Sequence, residues 1–223
     1  MHPTHERITV RALFNTEWRG SLTAAFALLG AAYVVEHLAN AYAYTYVLRP
    51  TSNYVGDIVL DNVPAIDLNF IIIECALIVI ALSILYVILR PRYILFSVKA
   101  VALFIIIRAI FTSLTHVGIY PDHIMPVEFG LFNNLYIYLN FQTGLFFSGH
   151  TGMPFLMALI FWRNLRVRRI FLTLSVLFGA AVLLAHVHYS IDVFAAPFMA
   201  YGIFKIAQYL FPRDYALTAH HLG

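Results

Sequence analysis

The chain has 223 residues, of which 61% are hydrophobic and 11% charged, and its mean hydropathy is +0.80. Those values exclude a soluble domain and describe an integral membrane protein. The net charge of +3 comes from basic residues dispersed near the ends of apolar runs, which argues against a nucleic-acid partner. The single cysteine, Cys75, cannot form an internal disulfide, so the redox compartment stays open.

The chain opens on a candidate surface helix. Across His5–Arg19, Val10, Leu13, Phe14 and Trp18 recur at helical spacing, with Arg7, Arg11, Asn15 and Arg19 around the other side. That pattern fits either a short amphipathic helix on an anionic membrane face or a solvated tail. The first apolar run starts near Ser21 and is too long for a signal-peptide core, so no cleaved leader is expected.

Six runs reach the roughly 20 residues a bilayer crossing needs: 21–47, 67–89, 94–117, 147–165, 169–187 and 191–211. The expected architecture is all-α, a polytopic bundle of six transmembrane helices. A segment over 1–20 precedes a catalytic membrane domain over 21–212, and a tail over 213–223 follows it. Arg7, Arg11 and Arg19, then Arg90 and Arg92, then Arg163, Arg166, Arg168 and Arg169, and finally Lys205 and Arg213 fall on alternate connections. The intervening connections hold Arg49 with Asp57, Asp61, Asp122 and Glu128. Positive-inside alternation therefore predicts cytoplasmic termini. It also puts two polar clusters, Ser148-Gly149-His150 and His188-Tyr189-Ser190-Ile191-Asp192, together on the extracytoplasmic face. The long connection from Gly118 to Gly144, with Tyr136, Tyr138 and Phe141, is expected as an interfacial or re-entrant wall of that face.

These clusters hold what a phosphate ester requires. His188 and Asp192 are four apart and share a helical face, so the carboxylate can fix the imidazole tautomer and leave the other nitrogen to attack phosphorus. His150 can serve as general acid to the leaving alcohol. Ser148 and Gly149 begin a helix whose N-terminal N–H groups can cradle phosphate oxygens. Arg108, deep in the third run, needs a counter-ion that a phosphate would supply. Asp67 and Glu74 share a face of the second run; they could hold a cationic head group, pair with Arg108, or pack structurally. Glu36 with His37 is assigned a packing role. His186 is expected at the mouth of the site, His116 is similar, and the adjacent His220 and His221 make no metal site.

Phe147-Ser148-Gly149-His150-Thr151 and His188-Tyr189-Ser190-Ile191-Asp192-Val193 resemble two signature motifs of the sphingomyelin synthases, within the type 2 phosphatidic acid phosphatase (PAP2) superfamily. Pro64-Ala65-Ile66-Asp67 and the stretch from Arg108 to Thr115 are similar to two weaker motifs in the same order. The resemblance, over about residues 60–210, implies a phospho-histidine at His188, with Asp192 as its orienter and His150 as proton donor. It implies transfer of a phosphorylated head group from a glycerophospholipid to a lipid alcohol or to water, with no cofactor and no metal. The implied partners are membrane lipids as substrates. Three departures stand out. Gly144 occupies the position of an acidic residue tied to head-group choice, Val182 replaces the phosphatase branch's arginine, and no Lys-x6-Arg-Pro run occurs. Donor head group, acceptor and oligomeric state are not encoded in these motifs. Competing readings are a lipid phosphate phosphatase acting on phosphatidic acid or a prenyl diphosphate, and a non-enzymatic lipid-binding or transport protein.

Overall fold

A computed structural model describes residues 10–47, 54–124 and 146–219. Seven helices organise them: α1 Thr16–Val47, α2 Ile71–Ile88, α3 Ile94–Leu114, α4 Gly149–Ile160, α5 Leu165–Leu184, α6 Ser190–Leu210 and α7 Pro212–Ala219. No strand forms among the described residues. The first residues of α2, Ile71–Cys75, form a π-helical turn. α1 lies along α3, while α4 packs between α5 and α6 and also touches α3.

Five of these helices are long and apolar enough to cross a membrane: α1, α2, α3, α5 and α6. Their outer faces expose Phe26, Leu38, Leu82, Val176 and Phe198, the apolar belt of an integral membrane protein. The expected crossing at 147–165 holds a shorter helix than its apolar run. α4 has 12 residues, about 18 Å at 1.5 Å per residue, against a hydrocarbon core of about 30 Å. The run outlasts the helix because it continues through a turn at Phe161–Arg163, after which Asn164 caps α5 by accepting the Val167 N–H at 3.3 Å. A short helix is tolerated here because protein surrounds it: Leu156, Ala158 and Phe161 are fully buried.

The expected surface helix over 5–19 is not a separate element among the described residues. Val10–Phe14 is a 3-10 turn and Thr16 already belongs to α1. Nothing between Trp18 and Ser21 breaks the helix, and Leu13 packs with Leu22, Leu95 and Leu217. Tyr136, Tyr138 and Phe141 lie outside the described residues.

Two close approaches set the centre of the bundle. A Cβ on Gly152 would come within 2.9 Å of the Phe104 ring, and one on Gly179 within 3.1 Å of both Thr151 and Val193. Small residues at these crossings let α3, α4, α5 and α6 converge. Phe96, Phe104, Phe147, Phe161 and Ile203 fill the core around them. At the end remote from the histidines, α7 seals the bundle. Buried Asp214 pairs with buried Lys99 of α3 and accepts a hydrogen bond from Ser21 of α1 at 2.6 Å.

Candidate active site

The polar clusters break the apolar pattern where helices begin, and capping chemistry puts them together. Ser148 is the N-cap of α4, its hydroxyl accepting the Thr151 N–H at 3.4 Å. Asp192 lies in the first turn of α6, and its Oδ2 accepts the Tyr189 N–H at 3.1 Å, as a third-position carboxylate does in a capping box. The two helix starts are joined directly, since Ser148 N–H donates to the Asp192 carbonyl at 3.0 Å. Ser148, His188 and Asp192 are all buried.

His188 Nδ1 lies 3.3 Å from Asp192 Oδ2. A carboxylate accepts, so Nδ1 carries the proton and Nε2 keeps its lone pair. His150 faces His188 with ring centroids 6.3 Å apart and planes at 66°. Its Nε2 is 3.1 Å from the Ile72 carbonyl in the π-helical turn of α2. A carbonyl can only accept, so that contact puts the proton on Nε2 and makes Nδ1 the exchanging nitrogen.

Arg108 reaches the same place from α3. Its Nε–H donates to the Phe147 carbonyl at 3.0 Å, and a Cβ on Gly149 would sit 3.5 Å from that nitrogen. Its carboxylate partner is Glu36 of α1, with Nη1 2.9 Å from Oε1. The expected alternatives, Asp67 and Glu74, do not take that place. Asp67 is exposed and accepts the Asn69 N–H at 3.0 Å, capping the start of α2. Glu74 is half-buried, and its Oε2 has no partner among the described residues. His150, His188, Asp192, Ser148, Gly149 and Arg108 therefore converge, while Asp67 stands apart as a cap. Glu36, assigned to packing from sequence, is part of the cluster.

Three connections brace the histidine loop from outside. Asp57 accepts N–H bonds from Ser190 at 2.7 Å, Val59 at 2.9 Å and Leu60 at 3.2 Å. Burial penalises its charge, but these donors outweigh that effect and hold the carboxyl below its ordinary pKa. Tyr120 donates to Asp61 at 2.7 Å; that bond, with burial, pushes the phenol up to about 12. Tyr189 O–H donates to the Gly118 carbonyl at 2.8 Å. His186, with a φ of 55°, is buried rather than lining a mouth; its Nε2 is 2.9 Å from the Val63 carbonyl. His116 stacks on Tyr46 with centroids 4.0 Å apart. Sequence reasoning counted Asp57 and Asp61 only as charges on a connection. Their spacing, four apart beside Asn62 and Pro64, is a turn signal that fits their bracing role.

Among the described residues no set of three His, Cys, Asp or Glu side chains is grouped as a metal site. No curated protein and no solved structure matches the chain. The family model described as PAP2 superfamily C-terminal matches residues 143–209, from just before α4 into α6. That match covers less than half of the chain and spans both histidine loops.

Proposed function

We propose that the chain is a membrane lipid phosphotransferase of the sphingomyelin-synthase-like type, working through a phospho-histidine at His188. The observation that carries this reading is the opposition of the Asp192-held His188 to His150, 6.3 Å apart, over the N-terminus of α4. The superfamily match supports the coarser part, phosphatase or phosphotransferase chemistry on lipid phosphates.

In the proposed first step the His188 Nε2 lone pair attacks phosphorus and the P–O bond to diacylglycerol breaks. His150, protonated at Nδ1, gives that proton to the departing oxygen, which leaves as a neutral alcohol. Asp192 offsets the positive charge on the phosphorylated imidazole. Arg108 and the N-terminal N–H groups of α4 stabilise the non-bridging oxygens. In the second step a lipid alcohol or water loses its proton to His150 and attacks phosphorus. The N–P bond breaks and both histidines return to their starting state. The proposed orientation follows the alternation of basic residues: both termini cytoplasmic, the site extracytoplasmic.

Purified protein given a panel of labelled phospholipids and lipid alcohols, with products read by mass spectrometry, tests this. Diacylglycerol release together with a new phospho-lipid supports transfer. Free phosphate from phosphatidic acid or a prenyl diphosphate, with diester lipids untouched, supports the phosphatase alternative instead. A folded protein with no turnover on any lipid supports a binding or transport role.

A further inference from the structure

α2 buries one stripe, made of Ile72, Ile73, Ala76 and Leu77. Asn69 lies one turn before Ile72 and Ile73 on that same stripe, where an apolar side chain would be the default. Its amide nitrogen and amide oxygen are both closed off from solvent, and neither has a partner among the described residues. The backbone N–H of Asn69 is already satisfied by Asp67, so the side chain is not needed to cap the helix. A carboxamide left with all its hydrogen-bonding positions open inside a membrane protein is costly, and such positions point to a missing polar partner.

The residues on either side of Asn69 border the segments that carry both histidines. Ile66 N–H donates to the Leu184 carbonyl at 2.8 Å, and Leu68 packs in the cluster that includes Val187, next to His188. One turn later the Ile72 carbonyl meets His150 Nε2.

We propose that Asn69 is a substrate-contacting residue of this site, its Nδ2–H donating to a non-bridging phosphoryl oxygen on the His150 side. When water is the acceptor, Oδ1 then accepts from the second O–H of the water whose first proton goes to His150. A neutral amide suits both tasks: a carboxylate there would repel the phosphate, and an ammonium could not accept. The inference rests on the reading of the site as a phosphoryl-transfer centre.

The test compares wild type, Asn69→Leu and the isosteric Asn69→Asp. Asn69→Leu removes an unsatisfied amide from an apolar stripe, so its Tm stays equal or rises, while kcat falls about 100-fold, the size seen on loss of one oxyanion donor. Orthovanadate, a mimic of pentacoordinate phosphorus, raises the Tm of wild type but of neither variant. A lower Tm for Asn69→Leu, as loss of a structural water or contact would produce, overturns the proposal. So does a full vanadate shift in both variants, or none in wild type. The vanadate arm needs no turnover. If wild type binds vanadate through Asn69 yet never forms a phospho-histidine, the contact stands and the phosphotransferase reading falls.

Discussion

Glu36 Oε1 of α1 lies 2.9 Å from Arg108 Nη1 of α3, and both side chains are largely buried, at 14% and 8% exposure. The pair holds the guanidinium against the start of α4, where its Nε–H also reaches the Phe147 carbonyl. Breaking a buried pair from one side costs about 3 kcal/mol or more, whereas replacing both partners with apolar residues is often neutral. Glu36→Leu is therefore expected to lower the unfolding free energy by about 3 kcal/mol, and Glu36→Leu with Arg108→Met to recover most of it. Activity should not return in the double variant, because the proposed mechanism uses Arg108 at the phosphate. A double variant with both stability and turnover restored would remove Arg108 from the chemistry. Thermal unfolding and lipid turnover measured on the same preparations check this.

Asp192 has two duties through one oxygen, since Oδ2 faces His188 Nδ1 and accepts the Tyr189 N–H. Asp192→Asn loses part of the cap of α6, about 1 kcal/mol, and leaves the imidazole tautomer unfixed. Comparable carboxylate-to-amide changes lower kcat on the order of 10⁴-fold. The expected signature is a small shift in Tm with near-complete loss of turnover.

The brace around the histidine loop should respond to pH at both extremes. The Asp57 pKa is lowered on folding from a reference of 3.8. Its stabilisation is therefore full above that value and is lost as pH falls through the lower, folded one. The Tyr120 pKa is raised from 10.0 to about 12. Its stabilisation is full below pH 10 and is lost as pH rises toward 12. Unfolding followed against pH should show both limbs, with Asp57→Asn flattening the acid limb and Tyr120→Phe the alkaline one. Identical acid profiles for wild type and Asp57→Asn would contradict the first assignment.

The far end of the bundle offers a control. Lys99 is 5% exposed and pairs with Asp214 of α7, which is 4% exposed. Asp214→Ala leaves the ammonium without that carboxylate and should cost about 3–5 kcal/mol. Lys99→Met with Asp214→Leu should recover it. Because this pair is remote from the histidines, the double variant is expected to keep wild-type kcat. A kcat loss at restored stability would tie this end to the active site.

The histidine cluster was legible because Ser148-Gly149-His150 and His188–Asp192 interrupt apolar runs with groups that a membrane segment excludes unless they are used. Glu36 was not. It is a carboxylate mid-way along a 32-residue helix whose partner lies 72 positions away, and no local pattern links the two. The length of α4 was hidden for another reason: hydropathy sums residues and does not register that Phe161–Arg163 turn while staying buried at Phe161. Asp67 read as a head-group ligand, an Arg108 partner or a packing residue, and its bond to the Asn69 N–H shows a cap that no sequence reading offered. The length of the apolar runs therefore identified the five apolar helices. Contacts between distant carboxylates and cations, and helices ended by buried turns, needed three dimensions.

The central claim is a covalent bond between phosphorus and His188, and trapping it is the most direct measurement. Wild-type protein quenched during turnover of a head-group-labelled phospholipid, then digested under alkaline conditions, should carry an acid-labile adduct on the peptide containing His188. His188→Ala, folded by its Tm, should carry none and release no diacylglycerol. Normal diacylglycerol release by folded His188→Ala would contradict the account.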